Sequence, residues 1–155
     1  QVPLVGHFDF IAPFTRMPYF GVHPKVITQL QRLAGFDCII FPGFGERMKT
    51  SETEVMFDIQ ECLKPMGQIK KSLPVPAGSQ WAGSIPQLYE KLGSIDFGIV
   101  PGRAVFEHPM GPRAGAASLR QAWEAVQKGL TLEAYSVDHA ELRAAIEDFG
   151  GQRHP

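Results

Sequence analysis

Charge imbalance, long apolar runs and metal-ligating motifs are all missing from this 155-residue sequence. Lys and Arg number 15 against 16 Asp and Glu, a net charge of −1. No strong field therefore draws the chain to nucleic acid or to an acidic membrane surface. No uninterrupted apolar run reaches membrane-spanning length. The N-terminus shows no basic segment followed by an apolar block, so no signal peptide is expected, and the location expected is cytoplasmic. Cysteine is scarce: Cys38 and Cys62 stand far apart and outside any Cys-x-x-Cys pair. They read as two reduced, mostly buried thiols. No His-x-x-x-His or Asp-x-Asp pattern gathers a metal. No Gly-x-x-x-x-Gly-Lys-Ser/Thr phosphate loop is present.

What is there is ordinary in amount and unusual in placement. Hydrophobic residues make up 44% and charged residues 20%, enough for one domain with a core. The 16 glycines and 13 prolines gather in four places, each after an apolar run. Val2–His7, Asp37–Phe41, Ser72–Pro76 and Asp96–Val100 read as strands. They are continuous rather than alternating, as parallel strands covered on both faces are. A helix is expected from Pro24, with His23 as its cap, Val26, Ile27, Leu30 and Leu33 on one face and Gly35 past its end. Ser51 and Glu54 make a capping box for a second helix reaching about Leu63. Ser84 and Gln87 have the same spacing, with Pro86 in the first turn and Gly93 closing that helix. A long Ala-rich helix ends at Gly129. A last one, Asp138–Phe149, carries Asp138 and Glu141 at capping spacing. Repeated strand–helix units make a parallel α/β architecture, and such folds place their chemistry in the loops after the strands.

Two of those loops match. Gly78 and Ser79 follow the third strand, and Gly102 and Arg103 follow the fourth. Glycine lets backbone approach an anion closely, adjacent loops can aim N–H groups at one point, and a guanidinium grips phosphate through paired bonds. The bland alternative is that both glycines only make turns. His7 ends the first strand, where it serves either as a proton carrier or substrate contact or as a histidine tied to backbone. His108 reads as loop-shaping, and His139 and His154 as surface residues. Gly43–Met48 lacks the third glycine of a dinucleotide fingerprint; two glycines followed by Glu46, Arg47 and Lys49 instead suggest a lid.

The stretches FDCIIFPGFG and LPVPAGSQWAGSIPQLYEKLGSIDFGIVPGRAVFEHPMGPRAGA, with the strand ending in His7, resemble the last four units of the RuBisCO large-chain barrel. They resemble RuBisCO-like proteins that do not fix carbon dioxide still more closely. The similarity spans roughly the first 130 residues and is most specific from Pro74 to Gly111. It implies an α/β fold in which residues 1–129 are the C-terminal half (strands 5–8) of a (β/α)8 TIM barrel. Residues 130–155 would be a helical extension and tail. The remaining N-terminal part of the same protein would be a partner, and a homodimer is expected.

By this resemblance His7 contacts substrate, while Gly78, Ser79, Gly102 and Arg103 bind one phosphate. Ser79 and Arg103 stand where the family has glycine. The arginine and histidine that hold a second phosphate are replaced by Phe8 and Ile40, and Arg47 falls nearest the flexible-loop lysine that carboxylation needs. Losing two charge-assisted contacts, about 1.5–3 kcal/mol each, argues against a bisphosphate substrate and against carboxylation. Phe8, Phe10, Phe14 and Trp81 would make the far end more apolar. The implied function is metal-assisted enolisation of a sugar or sugar-acid monophosphate. Mg2+ would be held by ligands outside this chain and would stabilise an enediolate. The favoured reaction is decarboxylation of a 3-oxo-isoapionate-4-phosphate-type substrate. The alternatives are the enolase or isomerase step of methionine salvage and a non-catalytic phosphate-binding or assembly piece.

Overall fold

The structure is a computed structural model and describes residues 2–9, 11–17, 19–44 and 50–151. The chain divides into two compact units: Gln1–Ala77 with Asp96–Val100, and Gly78–Ile95 with Pro101–Pro155.

The first unit holds the sheet. Among the described residues its strands are β1 (Val5–His7), β2 (Cys38–Pro42) and β3 (Leu73–Ala77), in the order β1-β2-β3 and all parallel. Ile39 and Phe41 of β2 are fully buried, as are Val55, Ile59 and Cys62 of α3 (Glu52–Leu63), the helix that packs on β2 and β3. Cys38 and Cys62 are both free thiols.

The expected fourth strand, residues 96–100, is a correction. It runs beside β3 but is reduced to one parallel bridge, Ala77 to Val100, outside any named strand. The cause lies in β3 itself, Leu-Pro-Val-Pro-Ala. Leu73 N–H donates to Asp37 and the Ala77 carbonyl accepts from Gly43, so residues 73 and 77 serve β2. Pro74 and Pro76 face the other side, where their carbonyls accept from Gly98 and Val100 N–H. Being prolines, they return no N–H. Half of that ladder is absent by composition.

The helix from Pro24 forms as α2 (Pro24–Leu33), and His23 caps it: Lys25 N–H donates to His23 Nδ1 at 3.2 Å. The face that packs on α3 is polar rather than the expected apolar one. Thr28 and Arg32 are buried while Leu30 and Leu33 are more than half exposed. The Thr28 hydroxyl donates to Asp58 Oδ1 at 3.4 Å. The Arg32 guanidinium donates to the carbonyls of Glu61, Lys64 and Lys70. It thereby closes the C-terminal end of α3, where a cation meets the negative end of the helix. The α3 start is as expected, with Glu54 N–H donating to Ser51 Oγ at 3.1 Å. A short helix, α1 (Ala12–Thr15), lies in the loop after β1.

The second unit is helical: α4 (Ser84–Leu92), α5 (Gly102–Phe106), α6 (Pro112–Gln127), α7 (Leu132–Ser136) and α8 (Ala140–Phe149). Gly93 closes α4 in the left-handed region, φ 58°. Two expected caps fail. Ser84 Oγ accepts from Trp81 N–H at 3.1 Å, so Ser84 closes the preceding turn and is itself the first helical residue. Asp138 caps nothing, because α8 begins after His139 without a side-chain cap. Gln121 of α6 takes over that role, its Oε1 accepting from Leu142 N–H at 3.0 Å.

Candidate functional site

The two glycine loops start side by side, because Gly78 directly follows Ala77, Gly102 follows Val100 with only Pro101 between, and Ala77 pairs with Val100. Parallel partners lie about 4.8 Å apart. Gly78 and Ser79 are successive residues at positive φ, 84° and 54°. Among the described residues Ser79 is the non-glycine residue in that region. A β-carbon there costs about 1 kcal/mol or more, so the turn is held against an intrinsic preference. Gln80, almost fully buried, holds it by donating from Nε2 to the Gly78 carbonyl at 2.7 Å. Backbone N–H groups left exposed in a strand-end turn can serve an anion.

Gly102 and Arg103 open α5, where first-turn N–H groups have no carbonyl one turn back within the helix. A β-carbon at Gly102 would meet nothing within 4 Å, so that side of the loop is open. Arg103 is engaged by its own helix: its Nε lies 2.6 Å from Glu107 Oε2, one turn on. An anion would have to compete with Glu107 for the Arg103 guanidinium.

His7, at the carboxyl end of β1, lies in the first unit and is about half exposed. Its Nδ1 sits 3.0 Å from Asp9 Oδ1. With Asp9 accepting from Nδ1–H, Nε2 keeps its lone pair. In register His7 pairs with Ile40, which pairs with Val75. Phe8 is buried, its ring 6.0 Å from that of Phe41. It fills the core rather than an apolar far end, and Phe14 is exposed. Arg47, Lys49 and Phe10 lie outside the described residues.

Three features escaped the sequence reading: the anchoring role of Gln80, the packing of Trp81 on Phe149 and the partners of His108. The Trp81 and Phe149 ring centroids are 6.4 Å apart. His108 is buried, with Nδ1 accepting from Met110 N–H at 3.1 Å and Nε2 facing the Glu141 carbonyl at 3.0 Å. The Trp81–Phe149 and His108–Glu141 contacts join residues far apart in sequence, and no local pattern encodes them. The loop-shaping role read for His108 agrees with its bond to Met110.

Among the described residues no group of three or more His, Cys, Asp or Glu is placed to hold a metal ion. No helix among the described residues is long and apolar enough to cross a membrane.

The chain is similar to known proteins over nearly its whole length. Residues 2–149 match the family profile described as ribulose bisphosphate carboxylase large chain, catalytic domain. A ribulose bisphosphate carboxylase-like protein of Allochromatium vinosum is 63% identical over 99% of this chain and 34% of its own length. A 3-oxo-isoapionate-4-phosphate decarboxylase of Rhizobium etli is 35% identical over 87% of this chain and 33% of its own. The solved rubisco-like protein MtnW of Alicyclobacillus acidocaldarius superposes with a TM-score of 0.88 at 30% identity, covering 97% of this chain and 38% of that one. The chain thus spans about a third of the length of the curated relatives it matches. Its parallel strands and alternating helices are those of the C-terminal half of a TIM barrel, and the chain belongs to the RuBisCO large-chain family, among its RuBisCO-like members.

Proposed function

We propose that this chain supplies the phosphate-binding loops and a proton-handling histidine to a RuBisCO-like enzyme that enolises a sugar or sugar-acid monophosphate. The reaction we assign is decarboxylation of a 3-oxo-isoapionate-4-phosphate-type substrate. The observation that carries the reading is the Gly78–Ser79 turn, two successive left-handed residues beside the entry to Gly102–Arg103. Backbone strain at a polar residue in a strand-end loop is characteristic of ligand clamps. The relative of Rhizobium etli supports the choice of reaction by its described activity. Phe8 and Ile40 support a single phosphate, because neither offers a charge or a side-chain donor for a second one.

In a 3-oxo acid the bond between the carboxyl carbon and C2 breaks, and carbon dioxide leaves. The electron pair moves into the 3-oxo group, and a proton delivered to C2 restores the carbonyl. The step is redox-neutral and needs no further reactant. Gly78, Ser79, Gly102 and Arg103 hold the phosphate. His7 offers the bare Nε2 to take up a proton, with Asp9 accepting from Nδ1–H. Mg2+, which the resemblance attaches to this chemistry, takes its ligands outside the described residues, in the remaining N-terminal part of the same protein. Residues 1–129 as barrel half, residues 130–155 as extension, Arg47 and Lys49 as lid residues, a homodimer and a cytoplasmic location complete the reading. Each of these rests on the family resemblance or the sequence pattern.

The test uses the complete protein with magnesium and candidate sugar-acid phosphates. Release of one carbon dioxide per substrate supports the assignment. Solvent deuterium uptake without that release transfers it to the enolase or isomerase chemistry of methionine salvage. Phosphate binding without either leaves a binding piece. Arg103→Ala is expected to weaken phosphate binding by about tenfold, the worth of a charge-assisted bond. Unchanged affinity removes that side chain from the site.

A further inference from the structure

The two candidate phosphate loops are followed by side chains that reach the same distant element. Trp81, two residues after Ser79, packs its indole against Phe149 of α8. The fit is close on both sides: a β-carbon at Gly83 would run into the Trp81 ring, and one at Gly150 would come within 3.2 Å of it. His108, immediately after the α5 cap residue Glu107, faces the Glu141 carbonyl of α8 with Nε2. Its Nδ1 accepts from Met110 N–H, so the neutral ring carries its hydrogen on Nε2 and donates it to α8. Both α8 contacts are buried or half-buried, and each imidazole nitrogen has one partner.

α8 is itself well fixed. Gln121 of α6 accepts from Leu142 N–H and donates to Glu141 Oε2 at 2.9 Å, gripping the helix by backbone and side chain together. Leu142, Ala145 and Phe149 form its buried face. α5 is pressed from another direction, since a β-carbon at Gly115 of α6 would stand 2.6 Å from the Val105 carbonyl oxygen.

We propose that α8 is a positioning clamp that sets the two phosphate loops from behind, through Phe149 on Trp81 and through Glu141 on His108. The proposal rests on the phosphate reading of those loops. Trp81 and His108 are positioning residues, not ligand contacts. The clamp explains a strained turn at Ser79 that stays strained: the chain on its far side is pinned by an aromatic contact whose partner helix is anchored elsewhere. It also gives the C-terminal helices a part in binding. A displacement of about 1 Å in a clamp loop weakens an anion site substantially.

The experiment titrates the complete protein with inorganic phosphate by calorimetry, alongside unfolding midpoints. His108→Asn keeps an acceptor near Nδ1 but falls short of α8. His108→Gln places an amide near Nε2 and keeps that reach. We expect His108→Asn and Phe149→Ala each to weaken phosphate on the order of tenfold at temperatures where both are fully folded, with His108→Gln restoring most of the affinity. A purely structural role would lower the midpoints and leave the affinity of the folded fraction unchanged. Wild-type affinity in both His108→Asn and Phe149→Ala overturns the clamp and leaves the phosphate reading standing. No phosphate binding by the wild type overturns both. Should Phe149→Ala not fold, Phe149→Leu, which stays apolar but withdraws the ring from Trp81, gives the same comparison with a smaller expected loss.

Discussion

Replacing Asp58 by Asn should stabilise the protein in alkaline solution and do little in acid. Asp58 is 2% exposed, between α3 and α2. Burial, with Glu54 and Glu61 adding repulsion from the same helix and only the Thr28 hydroxyl opposing, pushes its carboxyl from 3.8 up to about 7. The folded chain therefore holds this proton more tightly than the unfolded chain does. Stability linked to it is complete below about pH 4 and is lost progressively as pH rises through 7. The shift of about 3 units corresponds to roughly 4 kcal/mol across the whole range, at about 1.4 kcal/mol per unit. Roughly 3 kcal/mol of that falls between pH 5 and pH 8. Asn keeps an oxygen to accept from Thr28 and cannot ionise. Urea unfolding of the complete protein and its Asp58→Asn variant should thus show a stability gap that widens by roughly 3 kcal/mol from pH 5 to pH 8. A gap constant to within about 0.5 kcal/mol across that interval would refute the reasoning, since it would mean that Asp58 ionises as freely folded as unfolded.

Ser79→Gly should raise stability by about 1 kcal/mol by removing the β-carbon from a positive-φ residue, and denaturant melts without a gain would deny the strain. Arg32→Leu should cost about 3 kcal/mol or more, because the Glu61, Lys64 and Lys70 carbonyls lose their common donor; thermal melts check this. Burial holds the Cys62 thiol up at about 12. At pH 8 Cys62 should resist alkylation in the native protein and react on unfolding, read by mass mapping of the labelled peptides; equal labelling in both states would contradict its burial.

Signals confined to one turn of chain were legible. Ser51 before Glu54, His23 before a helix-opening proline, and Gly93 after a periodic run each settle within four residues and needed no tertiary context. The three paired strands stand within a few residues of where apolar runs placed them. The failures have other causes. α2 shows an apolar stripe, yet packs through Thr28 and Arg32 because α3 offers Asp58 and the Glu61 carbonyl, and the chain just after it offers the carbonyls of Lys64 and Lys70. Ser84 has the spacing of a cap, but Trp81 N–H takes its hydroxyl. α5 is hidden in a loop whose prolines and glycines read as irregular chain. For the candidate site, the positions of Gly78 and Gly102 were visible as glycines after strands. The positive φ of Ser79 and the Arg103–Glu107 pair are local but were hidden because both lie where Gly and Pro read as irregular loop; the reach of α8 was not legible because it depends on residues that only folding brings together.

The paired prolines of β3 carry a last consequence. Pro74 and Pro76 accept from Gly98 and Val100 but return nothing, so the seam beside β3 is held from one side alone. A circular permutation that places new ends in the connection between β3 and residue 96 would sever the covalent link across the most sparsely bonded join of the sheet. The same surgery between β1 and β2 would burden a join bonded in both directions.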